Sequence, residues 1–338
     1  MSEITTIGLD LTKNVFQVHG VDATGAAVLR KRLRRGQVLG FFTSLPRCLI
    51  GMEACATAHY WARELTGLGH EVRLMPPQYV KPSVKRNKND VADAEAICEA
   101  VRRPSMRFVP VKTAAQQSVL LMHRGRELLV RQRTMLTNAL RGHLAEFGLI
   151  AAQGLHKVAG LIAIVRNDQD ERVPDMARQV LRVIAEQIAE LETRIAALEG
   201  QIMAWHKSKP VSQRLATIPG IGPTIATVIA ATVPDPAVFR SGRECLARPR
   251  AAPDLHRRQG PPWRDQQTRR QLYQASVDQR CPRGAATLQG RQDRSLVGSL
   301  RARKHRLVVA VALANKTARI AWAIMRKGDI YRHAAAVA

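Results

Sequence analysis

The first third of the chain alternates between apolar and polar positions. Between Thr5 and Leu33, Ile7, Leu9 and Leu11 fall on one side of an extended backbone while Gly8 and Asp10 fall on the other, and "NVFQVHGVD" and "AAVLRKRL" follow after short turns. This period of two predicts a three-stranded meander. A short helix near 37–45 comes next, then an apolar strand "CLIGMEA", a helix "HYWARELTGLG", a strand "EVRLMPP" and a helix that begins near Asn89. Strands followed by alternating helices and strands predict an α/β domain over residues 1–112.

The period then lengthens. Residues 114–148 contain no proline and repeat Leu and Met at three-to-four spacing, which predicts one long basic helix. From Ala177 through Leu181, Ile184, Ile188, Leu191, Ile195, Leu198 and Ile202 to Trp205 the steps are four and three without a break. Such a seam predicts a coiled coil, formed between copies of the chain or as a hairpin within one. A helical region over 113–206 is therefore expected. In "LATIPGIGPTIATVIAATV", residues 215–233, Gly220 and Gly222 stand between two apolar helical segments. That is the pattern of a helix-hairpin-helix, whose turn leaves backbone amides open to phosphate. It opens a C-terminal part, 207–338, that ends in the amphipathic helix of "VAVALANKTARIAWAIMRKGDIYRH".

Charge narrows the partner. With 53 Lys plus Arg against 27 Asp plus Glu, the formal charge of the 338 residues is +26, a self-repulsion that a polyanion such as nucleic acid offsets. The five cysteines, Cys48, Cys55, Cys98, Cys245 and Cys281, form no C-x-x-C pair; a reducing cytoplasm fits such a chain. The N-terminus lacks the apolar core of a signal peptide, and the run "LVVAVALA" is too short to span a bilayer.

Two acids, Asp10 and Glu53, stand where an apolar core would not place them. Asp10 lies inside the first strand and Glu53 at the carboxyl end of an apolar one, where sites in α/β sheets form. Asp90 and Asp93 are three residues apart on one helix face, directly behind Lys85, Arg86 and Lys88. Clustered carboxylates repel unless a cation compensates them, and hard oxygen ligands suit Mg²⁺, which serves phosphodiester chemistry; the basic run would then guide a DNA backbone. The same acids also admit structural roles. Asp90 could cap the helix and Asp93 favour its N-terminus, while Asp10 serves a turn with Asn14 and Glu53 pairs with an arginine.

The stretches "IGLDLTKNVFQVHGVD", "GMEACATAHYWARELTGLGHEVRLMPPQYVKP" and "KNDVADAEAICEAVRRPSMRFVPVKT" resemble the N-terminal domain of the DEDD transposases of bacterial insertion sequences, a family that includes bridge-RNA-guided recombinases. The resemblance implies an RNase H-like, RuvC-like fold, an acidic tetrad at Asp10, Glu53, Asp90 and Asp93, Mg²⁺ as cofactor, DNA as substrate and a guide RNA among the candidate partners. "RQRTMLTNALRGHLAEFG", the Pro219–Gly222 turn and the last helix resemble the family as well. The family also carries a serine in a Ser-Thr-Gly-Gly context that attacks DNA, and no such motif stands in this chain. Ser241 precedes Glu244 by three residues, the pattern of a capping box, and Ser276 lacks the surrounding motif, so the serine stays unassigned.

The segment from about Cys245 to about Val297 breaks the pattern. It is rich in Arg, Gln and Pro, has almost no hydrophobic periodicity and by composition reads as linker. Assigned GC-rich codons and read one nucleotide later, its first part spells a sequence containing Ser-Thr-Gly-Gly that resembles the missing family segment, with the serine codon under Leu255 and His256. The expectation is a segment translated out of the ancestral frame. The leading reading is an insertion-sequence transposase that cuts and joins DNA as a homo-oligomer, dimer or tetramer. The alternatives are a catalytically impaired DNA- or RNA-binding relic of one, and a junction-resolving nuclease.

Overall fold

The structure is a computed structural model and describes residues 3–80, 90–152, 154–233, 235–239 and 305–332. The chain divides into two compact units. One comprises residues 1–116, 218–220 and 232–338, and the other 117–217 and 221–231.

In the first unit the meander forms as β1 (Thr6–Leu11), β2 (Val15–Val21) and β3 (Ala27–Arg34). An Asx turn closes the β2–β3 hairpin, where Asp22 Oδ1 accepts from the backbone N–H of Thr24 at 2.9 Å and of Ala26 at 3.0 Å. Then come α1 (Val38–Thr43), β4 (Leu49–Glu53), α2 (Ala58–Gly67), β5 (Glu71–Met75), the single turn α3 (Pro77–Val80) and α4 (Asp90–Val101). The five strands make one mixed sheet in the order β3-β2-β1-β4-β5, with β1, β4 and β5 parallel to one another and β2 and β3 antiparallel to their neighbours. The α/β fold expected from the alternation is the fold observed.

The two faces of this sheet differ. Ile7, Leu9, Phe16, Leu33, Ile50 and Met52 are buried on one face, under Val38 and Phe42 of α1 and Trp61, Ala62 and Leu65 of α2, where the rings of Phe16 and Trp61 meet edge-to-face at 5.1 Å between centroids. The opposite face carries α4. A Cβ added to Gly8 would lie 2.1 Å from the Ala94 carbonyl oxygen, and one added to Gly51 would lie 2.7 Å from Val101 Cβ. Gly8 and Gly51 are register partners on β1 and β4, so two side-chain-free positions side by side let α4 sit directly on the sheet. Elsewhere in this unit α10 (Arg306–Lys327) closes a small cluster of Val233, Phe239, Trp322 and Met325, and the Trp322 indole N–H donates to the Pro236 carbonyl at 3.0 Å.

The second unit is helical: α5 (Ala114–Ala145), α6 (Val158–Arg166), α7 (Asp175–Ser208), α8 (Pro210–Ala216) and α9 (Pro223–Thr232). The long basic helix and the heptad helix both form, and the seam of α7 is filled from within the chain. Leu181 and Ile188 are buried among Leu140 and Leu144 of α5 and Leu161 and Val165 of α6, and Arg126 pairs with Glu199. These two positions of the seam are thus packed within the chain. Arg178, beside the seam, is buried and donates to the carbonyls of Ile164, Asn167, Asp170 and Val173, collecting the chain end of α6 and the loop after it. Thr227 of α9 donates to the Thr224 carbonyl and accepts from His123 Nε2 at 2.9 Å, both side chains being buried. No described helix is long and apolar enough to cross a membrane.

Candidate active site

The site begins with a register. β1 and β4 pair in parallel, with Gly8 opposite Gly51 and Leu9 opposite Met52; one residue further, Asp10 stands level with Glu53, the last residue of β4. Level residues of paired strands share a face. Both acids therefore project on the side of Gly8 and Gly51, the side that bears α4, at the carboxyl ends of two parallel strands. Both are half-buried.

The chain leaves β4 directly after Glu53. Ala54 N–H donates to the Met75 carbonyl at 2.8 Å and anchors the exit of β4 to β5. Thr57, at the mouth of α2, has φ +69° and is the only described non-glycine residue in the left-handed region. Strain of this kind persists where surrounding structure over-determines it, and it gathers at functional sites. Between the two, the Cys55 thiol is pushed up to about 12, first by burial and then by the charges of Glu53 and Asp10. A thiol so shifted stays protonated near neutral pH.

α4 carries another of the four acids. Asp93, half-buried, immediately precedes Ala94, the residue that rests on Gly8, and Gly8 lies two positions from Asp10 on the same strand face. Asp90 is the first residue of α4, and its side chain lies outside what the structure describes, as do Lys85, Arg86 and Lys88. Among the described residues no three His, Cys, Asp or Glu side chains are grouped closely enough to hold a metal. What the structure brings together is the Asp10–Glu53 pair, a set of oxygen donors of the type a hard divalent cation takes.

The turn between α8 and α9 contains the other two predicted positions. Gly220 has φ +84°, a conformation open to glycine but rarely to residues with a side chain. Gly222 has ordinary backbone angles, and a Cβ added to it would meet nothing within 4 Å, so packing does not demand glycine there. Its carbonyl accepts from Ile225 and Ala226 and starts α9.

An α/β sheet with paired carboxylates at the ends of parallel strands, capped by an acid-bearing helix, defines a candidate hydrolytic or strand-transfer centre, and comparison with known proteins assigns its family. Residues 7–148 match the DEDD transposase model of the IS110 type, and residues 212–281 match the transposase model of the IS116/IS110/IS902 family. The chain is 46% identical over 338 residues to a probable family 20 transposase of Pseudomonas aeruginosa, covering 97% of this chain and 99% of the relative. It is 42% identical over 346 residues to a putative transposase, y4pF/y4sB, of Sinorhizobium fredii (99% and 87%), and 36% identical over 338 residues to the transposase for insertion sequence element IS1328 of Yersinia enterocolitica (98% and 99%). The chain belongs to the IS110 family of insertion-sequence transposases, enzymes that cut and join DNA. The second match runs through Cys245 to Cys281, into the segment that breaks the pattern; residues 240–304, Ser241 and Ser276 included, lie outside those the structure describes.

Proposed function

We propose that this chain is a Mg²⁺-dependent transposase whose carboxylates Asp10, Glu53, Asp90 and Asp93 form one metal-holding site for strand cleavage and joining on its insertion element. The observation that carries the reading is the level placement of Asp10 and Glu53 on one sheet face, beneath the helix that begins at Asp90. Bound by these oxygens, the cation would activate the attacking oxygen and stabilise the leaving one. The protein's own contribution is geometric. Two adjacent strands fix two carboxylates, and Gly8 and Gly51 let the acid-bearing helix approach.

Lys85, Arg86 and Lys88, directly before Asp90, would neutralise the backbone of the strand entering the site. The turn at Gly220 and Gly222, a helix-hairpin-helix in this reading, would offer backbone amides to phosphate without reading sequence. A homo-oligomer, dimer or tetramer, supplies the several active sites that two DNA ends require, and a guide RNA is a second expected partner. The chain would work in the bacterial cytoplasm, at the nucleoid. Attack by a serine is assigned to no residue.

The test is strand breakage of a plasmid bearing the element's ends by the full chain, with Mg²⁺ and with a chelator. Nicks or double-strand breaks that need Mg²⁺ are expected. Breakage that persists in chelator contradicts the metal site, and tight DNA binding without breakage selects the non-catalytic relic.

A further inference from the structure

The face that bears Asp10 and Glu53 continues outward into a row of arginines. β2 and β3 pair with Gln17 opposite Arg32, His19 opposite Arg30 and Val15 opposite Arg34, and Asp10 is itself opposite Gln17. Partners share a face, so Glu53, Asp10, Gln17 and Arg32 form one transverse row, with Arg30 and Arg34 on either side of Arg32. Lys31, on the other face, lies 4.9 Å from the centroid of the Phe41 ring. The arginines are thus sorted from the lysine by the strand's own alternation.

We propose that Arg30, Arg32 and Arg34 are a phosphate track for the DNA strand that enters the carboxylate site. Four observations point there. β3 is the edge of the sheet, and all three arginines are exposed. No described carboxylate forms an ion pair with any of them. They recur about every 6.8 Å along the strand, closer than the Debye length of roughly 8–10 Å at physiological salt, so they repel one another until an extended polyanion lies along them. Finally, a cleft of about 160 Å³ is lined by Gln17, Val18, His19, Arg30, Lys31 and Arg32 and by Ala94 of α4, so two of the three arginines border the helix that rests on Gly8. Two strand spacings, about 10 Å of backbone, separate Arg32 from Asp10, so one DNA backbone can touch both.

Charged edge strands also guard against edge-to-edge pairing. That role asks only for charge at the edge and would be served as well by acids or by either face. It does not account for three cations of one sign on the carboxylate face.

The proposal rests on the reading of Asp10 and Glu53 as the cutting site, and its test separates the two. Binding of the full chain to labelled DNA, and to RNA of the same length, is followed by anisotropy across a salt series for the wild type, R30Q/R32Q/R34Q and R30K/R32K/R34K. Each phosphate contact contributes about 0.7–0.9 to the slope of log affinity against log salt. The glutamine variant should therefore lose about 2–3 from the DNA slope, and the lysine variant should keep it. If the triple glutamine chain fails to fold, R32Q alone should lose about 0.7–0.9. An unchanged DNA slope in a folded variant, or a loss confined to RNA, overturns the track. Asp10→Asn is run beside it: if that variant still cuts, the carboxylate assignment fails while the slope judges the arginines independently.

Discussion

Gly8 lies directly under the carbonyl of Ala94, with 2.1 Å between that oxygen and the place a Cβ would occupy. The atom in the way is backbone, so no side chain can rotate aside. Gly8→Ala should lift α4 from the sheet and cost about 1–3 kcal/mol of stability, the usual range for overpacking. Because Asp90 and Asp93 ride on that helix, cleavage should fall further than stability alone explains. Urea unfolding beside plasmid nicking measures both.

The seam of α7 gives a second test. Ile188 is 2% exposed and packs with Leu140, Leu144 and Leu161, whereas Val183 on the same helix is 53% exposed. Ile188→Ala should cost about 2–5 kcal/mol, and Val183→Ala no more than about 0.5 kcal/mol. Equal, small effects would mean that the seam is not an internal core. Light scattering on the same variants reports whether the oligomer depends on this helix.

How much of this was legible in the sequence depends on whether the information was local. The alternation of Ile7, Leu9 and Leu11 against Gly8 and Asp10 announces both the strand and the face of the acid, and Glu53 follows from the end of an apolar run. The heptad of α7 announces a buried stripe but not its partner, because any apolar helix can fill it; only the fold shows α5 and α6 there. Arg178 reads as an ordinary surface cation of the heptad helix, yet it is buried against four carbonyls from α6 and the loop that follows. Gly8 and Gly51 become a pair only through the register of two strands far apart in sequence. The arginine row needs three registers at once, which no single window contains.

Two buried cysteines predict a fall of stability in alkali. The thiols of Cys48 and Cys98 are each pushed up to about 11 from 9.0, chiefly by burial. Below about 9 both states hold the protons and the thiols contribute no pH dependence. Above it the unfolded chain ionises while the folded one does not, so stability declines as pH rises from about 9 through about 11. Melting temperature measured across that window should drop, and the C48S/C98S chain should drop less. A flat profile in the wild type would show that neither thiol is shielded.

The segment that begins at about Cys245 has a genetic test, read from the coding DNA. Over the codons for residues 245–281 the next reading frame should encode the Ser-Thr-Gly-Gly segment of the family, with its serine codon under Leu255 and His256. A chain rebuilt in that frame should gain strand transfer through the restored serine. A coding sequence whose next frame spells no such segment makes the region a divergent insertion within the 212–281 family match.

The measurement closest to the central claim is strand breakage by Asp10→Asn set beside its DNA affinity. Asp10 and Glu53 share a face at the ends of β1 and β4, and the affinity of so basic a chain comes mainly from its cations. Asp10→Asn should abolish Mg²⁺-dependent breakage of plasmid carrying the element ends while DNA affinity and melting temperature stay near the wild-type values. Breakage at the wild-type rate in that variant would contradict the carboxylate site.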